Sequence, residues 1–150
     1  MSFLQNDERE QLRKLFRDKL RDPVTVQFYT QRASPLSAPA QQCQTCRETG
    51  ELLGELAALS DKITIETHDF VTEAGEASRR GIDRIPAMVI QGKGRGTVRY
   101  FGVPAGYEFA VLIEALLDAS RGGTALAPAT REELAKLPGP VRLEVLVTPT

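Results

Sequence analysis

The only two cysteines of this 150-residue chain stand together as Cys43-Gln-Thr-Cys46, and an apolar helical pattern follows at once. A thiolate at the start of a helix feels the positive end of the helix dipole. A Cys-x-x-Cys pair so placed can have its first thiol pKa lowered to roughly 3.5–7.5. A thiol ionised near neutral pH attacks disulfides, and a second thiol one turn later can release the mixed disulfide. The loop that such a pair closes is too short to be a strong structural staple. Dithiol–disulfide exchange is therefore the first reading. Half of a zinc site is its rival. Zinc takes four ligands, and the chain offers one histidine, His68, and no third cysteine, so that reading needs a site shared by two molecules.

Other chemistries find less support. Gly92, Gly94 and Gly96 suggest a phosphate cradle, but a dinucleotide loop needs Gly-x-Gly-x-x-Gly between strand and helix. Here the spacing is wrong and a strand pattern follows. No Gly-x-Ser-x-Gly elbow is present for hydrolysis. His68, at a strand end, reads as a surface or capping residue, with a proton shuttle as the alternative. Arg47 reads as a solvated side chain, with support of a Cys43 thiolate as the alternative. Net charge is −1 and no long run of Lys and Arg occurs, which argues against nucleic acid. The amino-terminal residues are charged, without the apolar run of a signal peptide. No stretch reaches the apolar length of a membrane span. A cytoplasmic location is expected, where paired cysteines are catalytic or metal-binding rather than structural.

The elements that position the pair follow from periodicity. Residues 6–20 read as a helix, with Leu12, Leu15, Phe16 and Leu20 on one face. Val24–Thr30 is a β-rich strand, and 31–42 a loop with Ser34, Pro35, Ser37 and Pro39. A helix fits Cys43–Leu59, with Leu52, Leu53, Leu56 and Leu59 inward. Ile63–His68 alternates as a strand, and Thr72–Arg80 is a small-faced helix stopped by Gly81. Pro86–Gln91 and Thr97–Phe101 form a hairpin around Gly92–Gly96. Tyr107–Ala119 is the clearest helix. This order implies a mixed sheet with helices on both faces, and it puts the cysteines at the C-terminal end of the first strand.

Residues 122–128 read as a linker. Beyond it, a helical segment Thr130–Leu137 precedes a strand pattern Val141–Val147. Leu20, Pro23 and Val24 recur 117 residues on as Leu137, Pro140 and Val141. The expected organisation is one domain over 1–121, with 122–150 a linker and the helix–strand start of a second unit.

Cys43-Gln-Thr-Cys46, Gly81-Ile-Asp-Arg-Ile-Pro86 and Arg99-Tyr-Phe-Gly-Val-Pro-Ala-Gly-Tyr-Glu-Phe109 together resemble the N-terminal unit of the glutaredoxin-like protein disulfide oxidoreductases, tandem thioredoxin-fold proteins. The resemblance covers most of residues 8–120, and Val141–Thr150 is similar to the first strand of the second unit. It implies a thioredoxin-like α/β fold, a mixed four-stranded sheet with helices on both faces plus an extra C-terminal helix and strand. It implies a protein-disulfide oxidoreductase serving cell redox homeostasis, with Cys43 as attacking and Cys46 as resolving thiol. Pro86 matches the cis proline opposite the dithiol. Ile85 beside it pairs with an extended substrate segment, and Gln44 and Thr45 join the substrate-binding set. No cofactor is implied. Partners are disulfide- or dithiol-containing proteins and an upstream thiol reductant, with no nucleic acid and no membrane. Two departures stand out. The loop before Cys43 is longer than the family's, and Gln27 lies about where thioredoxins carry a buried acid, with Glu66 or Asp69 as substitutes. A rival to the enzyme reading is an assembly module, or a fragment of a two-unit protein, that forms a homo-oligomer through the Val141–Val147 strand.

Overall fold

The structure is a computed structural model and describes residues 3–32, 42–94, 96–123 and 125–145. Among the described residues, five helices and four strands run in the order α1 (Asn6–Lys19), β1 (Val24–Thr30), α2 (Cys46–Ala57), β2 (Ile63–Asp69), α3 (Ala74–Arg79), β3 (Ala87–Gln91), β4 (Val98–Phe101), α4 (Tyr107–Arg121) and α5 (Pro128–Ala135). The sheet order is β2-β1-β3-β4. β1 pairs parallel with β2 and antiparallel with β3, and β3 with β4 is the expected hairpin.

Alternation along the two central strands sorts the core. Val24, Val26 and Phe28 of β1 and Met88 and Ile90 of β3 face one side. There they meet Phe16 of α1, Leu52, Leu53 and Leu56 of α2, and Leu112, Ile113, Leu116 and Leu117 of α4. Tyr29, Ala87 and Val89 face the other side against Ala77 of α3 and Ile82. Burying a Leu-sized side chain is worth roughly 1.5–3 kcal/mol. The three α2 leucines thus outweigh helix-propensity differences, which stay below about 1 kcal/mol per residue, and they decide how α2 lies on the sheet.

Two glycines are required where they stand. Gly122 closes α4 in the left-handed region (φ 65°), so that the helix ends at Arg121, two residues beyond the expected Ala119. A Cβ on Gly92 would meet the Ala119 carbonyl oxygen at 2.3 Å, so this glycine lets the hairpin pack against α4.

Two boundaries differ from expectation in ways that matter. α2 starts at Cys46 with Thr45 as N-cap, and not at Cys43. The leucines carry the helical periodicity, and residues 43–45 have no apolar repeat to extend it. The expected strand over Val141–Val147 is absent from 141–145, which pair with nothing regular and lie exposed; 146 and 147 fall outside the described residues. Apolar alternation makes a strand only where a neighbour supplies the other half of the ladder. α5 buries no residue.

Candidate active site

β1 delivers the chain to the site. Its last residue, Thr30, pairs with Asp69, and its carbonyl accepts the Phe70 N–H at 2.8 Å. The Arg32 N–H then donates to Asp69 Oδ2 at 3.1 Å. The chain returns at Cys43, whose N–H donates to the Gln31 side-chain oxygen at 2.9 Å. Both ends of the connection are thus pinned to the sheet end by side-chain acceptors.

Cys43 and Cys46 are joined in a disulfide. Their surroundings differ. Cys43 is half-buried, outside α2, in the turn that leads to the Thr45 N-cap. Cys46 is the first residue of the helix and only 3% exposed. Gln44 is exposed and Thr45 half-buried between them. The first main-chain bond of α2 runs from the Thr49 N–H to the Thr45 carbonyl at 3.0 Å. The N–H groups at a helix start are left over from that ladder and give it its partial positive charge.

The Ile85–Pro86 bond is cis, as the resemblance implies. Pro86 is buried and its carbonyl accepts the Gly102 N–H at 2.9 Å, while Ile85 packs partly into the smaller core. Tyr29 faces Ala87 in the β1–β3 register, so Pro86 sits one residue beyond that pair. This is the same sheet end from which Gln31 reaches Cys43. The fold therefore brings both cysteines and the Ile85–Pro86 turn to one end of the sheet.

Charges near the turn are largely self-compensated. Arg84 makes two hydrogen bonds to Asp83 at 2.8 and 2.9 Å and lies over the Phe101 ring, 5.6 Å from its centroid. The pairing holds the Asp83 carboxyl below its ordinary value and raises Arg84. Arg47 projects into solvent and reaches Glu51 at 3.9 Å, which fits its solvated reading.

His68 belongs to a cap. Its Nδ1 lies 2.7 Å from Glu73 Oε2, and its ring stacks on Tyr29 at 5.0 Å. The hydrogen bond from His68 holds the Glu73 carboxyl below its ordinary value. The other Glu73 oxygen accepts the Asp69 N–H at 3.0 Å.

Gln27, expected about where thioredoxins carry a buried acid, does not face the dithiol helix. Val26 and Phe28 face α2, so Gln27 faces α3, with its amide 3.4 Å from Glu66. Phe28 lies beneath the dithiol helix, its ring 3.2 Å from where a Cβ on Gly50 would stand. A one-residue offset changes the face. Asp69 is a turn cap as well, accepting the N–H groups of Val71 and Thr72 at 3.0 and 2.9 Å. Those bonds, with the Thr72 and Arg32 amides foremost, hold its carboxyl below the ordinary value. Gln31 is the residue that the sequence did not assign to this end of the sheet, and Asp69, considered there as a substitute acid, serves instead to anchor the backbone. Neither contact follows a local pattern, since they span 12 and 37 residues. Among the described residues no group of three or more His, Cys, Asp or Glu could hold a metal ion.

This is the thioredoxin fold: thioredoxin from Fasciola hepatica superposes with a TM-score of 0.50 at 17% identity, over 73% of this chain and 92% of that one. Larger structures match more closely. A protein disulfide oxidoreductase from Aeropyrum pernix K1 gives a TM-score of 0.73 at 24% identity, over 93% of this chain and 57% of its own. The alkylhydroperoxide reductase AhpF from Enterococcus faecalis gives 0.73 at 25% identity, over 91% and 62%. The expected likeness to disulfide oxidoreductases is thus found in structure. The chain spans about three fifths of the length of these two proteins. No family model and no curated protein matches the sequence. No helix among the described residues is long and apolar enough to cross a membrane.

Proposed function

We propose that this protein is a thiol–disulfide oxidoreductase acting on protein substrates. One observation carries the reading: in a thioredoxin fold, a Cys-x-x-Cys disulfide stands at the start of α2, with Cys43 half-buried and Cys46 the more deeply buried of the two. In the reductive direction the Cys43 thiolate attacks a substrate disulfide in line. A bond forms between Cys43 Sγ and one substrate sulfur, and the other sulfur leaves as a thiolate and takes a proton. The Cys46 thiolate then attacks Cys43 Sγ. The internal disulfide forms, the second substrate sulfur leaves and is protonated, and two electrons have passed to the substrate. The reverse sequence oxidises a dithiol. Burial suits Cys46 to this role, because it reaches Cys43 and not bulk substrate. Ile85, Pro86, Gln44 and Thr45 form the proposed substrate-facing rim. An upstream thiol reductant recycles the pair, and a cytoplasmic location agrees with the cysteine usage. The test is insulin-disulfide reduction with dithiothreitol. Activity is expected from the intact protein and loss of it from Cys43→Ser; equal rates would defeat the reading.

We further propose that residues 1–121 form the redox domain and 122–150 the linker and opening of a second unit. The 117-residue recurrence supports this, as does the partial coverage of the larger neighbours. The tail carries a second reading. Val141, Leu143 and Val145 are each more than 60% exposed. Two copies set antiparallel about Leu143 would place Val141 against Val145 and Arg142 against Glu144, an isologous pairing of opposite charges. Light scattering of the full chain and of Leu143→Lys tests it. A concentration-dependent dimer abolished by the substitution is expected, and a monomer in both ends this reading.

A further inference from the structure

Building on the oxidoreductase reading above, we propose that Gln31 is the positioning residue that holds Cys43 at the start of α2 once the disulfide has been reduced. What holds Cys43 differs between the two redox states. When oxidised, Cys43 is tied covalently to Cys46. When reduced, that bond is gone. α2 cannot replace it, because the helix ladder begins at Thr45 and leaves Cys43 two residues outside. β1 ends at Thr30, thirteen residues before Cys43. The hydrogen bond from the Cys43 N–H to Gln31 Oε1, 2.9 Å long, bridges that gap.

Gln31 is well placed to act as an anchor. Its neighbours on either side are fixed: Thr30 pairs with Asp69 and accepts the Phe70 N–H, and Arg32 donates to Asp69. Gln31 itself is half-buried, so its side chain surrenders less freedom than a solvent-exposed one in making the bond. A carboxamide oxygen is a neutral acceptor. It takes the Cys43 N–H without adding negative charge beside a sulfur that must itself become an anion. Held in this way, the Cys43 thiolate stays within reach of the leftover N–H groups of the α2 start, which stabilise the anion. Without the tie, the reduced residue samples positions remote from them, and a larger share of the thiol keeps its proton.

The experiment measures the pH dependence of Cys43 alkylation by iodoacetamide in the reduced full chain, for the wild type and Gln31→Met, which keeps the length and removes the acceptor. The midpoint is expected to rise in Gln31→Met. The rate below the midpoint should fall roughly threefold to tenfold, the size of one hydrogen bond's net contribution, with the high-pH plateau unchanged. A merely structural role would lower the melting temperature and leave the midpoint in place, and that result overturns the proposal. Amide hydrogen exchange of the reduced wild type gives a check that does not depend on the variant folding. The Cys43 amide should stay protected after reduction, and exchange at the rate of a free peptide overturns the proposal. Failure of the oxidoreductase reading looks different: a wild-type midpoint at the ordinary thiol value of about 8.5 and no insulin reduction.

Discussion

Replacing Asp69 by alanine removes the cap that fastens the end of β2 to the start of the loop leading to Cys43. Its carboxylate accepts the N–H groups of Arg32, Val71 and Thr72 at 3.1, 3.0 and 2.9 Å, and the Thr72 hydroxyl at 3.2 Å. Hydrogen bonds to a charged acceptor contribute about 1.5–3 kcal/mol each. The vacated donors lie in turns where water can partly replace the oxygen, which brings the loss nearer to about 1 kcal/mol per bond. Asp69→Ala should therefore cost roughly 2–4 kcal/mol. With a urea slope of about 1.5 kcal/mol per molar, the unfolding midpoint falls by ~2 M. The pH dependence supplies a second check. These bonds hold the folded carboxyl below its ordinary 3.8. The stability it contributes is therefore complete above that value and is lost as the pH falls through the depressed folded value. Urea titrations at pH 7, 5 and 3 should show a gap between wild type and variant that is full at 7 and 5 and narrower at 3. A gap below about 0.5 kcal/mol at pH 7, or one that does not narrow in acid, would contradict this account of the cap.

Two further substitutions probe how α4 is docked. Ser120 is fully buried, and its Oγ accepts the N–H groups of Arg21 and Asp22 at 2.8 and 2.9 Å while donating to the Asp22 carbonyl at 2.6 Å. Ser120→Ala strands two donors and should cost about 2–4 kcal/mol by urea unfolding, against under 1 kcal/mol if the serine only fills space. Gly92→Ala drives a methyl into the Ala119 carbonyl oxygen at 2.3 Å. It should cost about 2–3 kcal/mol as an overpacked contact, and a melting temperature equal to that of the wild type would show that the hairpin yields freely.

What is legible in the sequence is what repeats locally. The stripe of Leu112, Ile113, Leu116 and Leu117 announces α4, and the leucines of α2 announce the dithiol helix, because each period maps onto one buried face. Periodicity misplaces the start of α2 by three residues because a cap is a single residue without a period. The resemblance sets Gln27 about where thioredoxins carry a buried acid, but strand alternation turns it to the α3 side, because one residue reverses the side that faces the dithiol helix. The cis Ile85–Pro86 bond is expected from resemblance alone, since its local sequence favours trans. The Gln31–Cys43 bond leaves no trace, because a glutamine just past a strand carries no mark of what its side chain will reach twelve residues later. At the tail, the alternation of Val141, Leu143 and Val145 states a capacity to pair and is silent about the partner.

Glu55, on the outer half of α2, accepts the N–H groups of Phe3 and Leu4 at 2.9 and 3.2 Å and the Arg9 guanidinium at 2.8 Å. Phe3, Leu4 and Arg9 are therefore moored to the very helix that begins with Cys46. An affinity tag or fused cargo joined ahead of Phe3 would load these bonds, and with them the helix whose first residue is Cys46. Anyone immobilising this protein on a surface for redox measurements should choose another handle, such as a side chain on exposed α5.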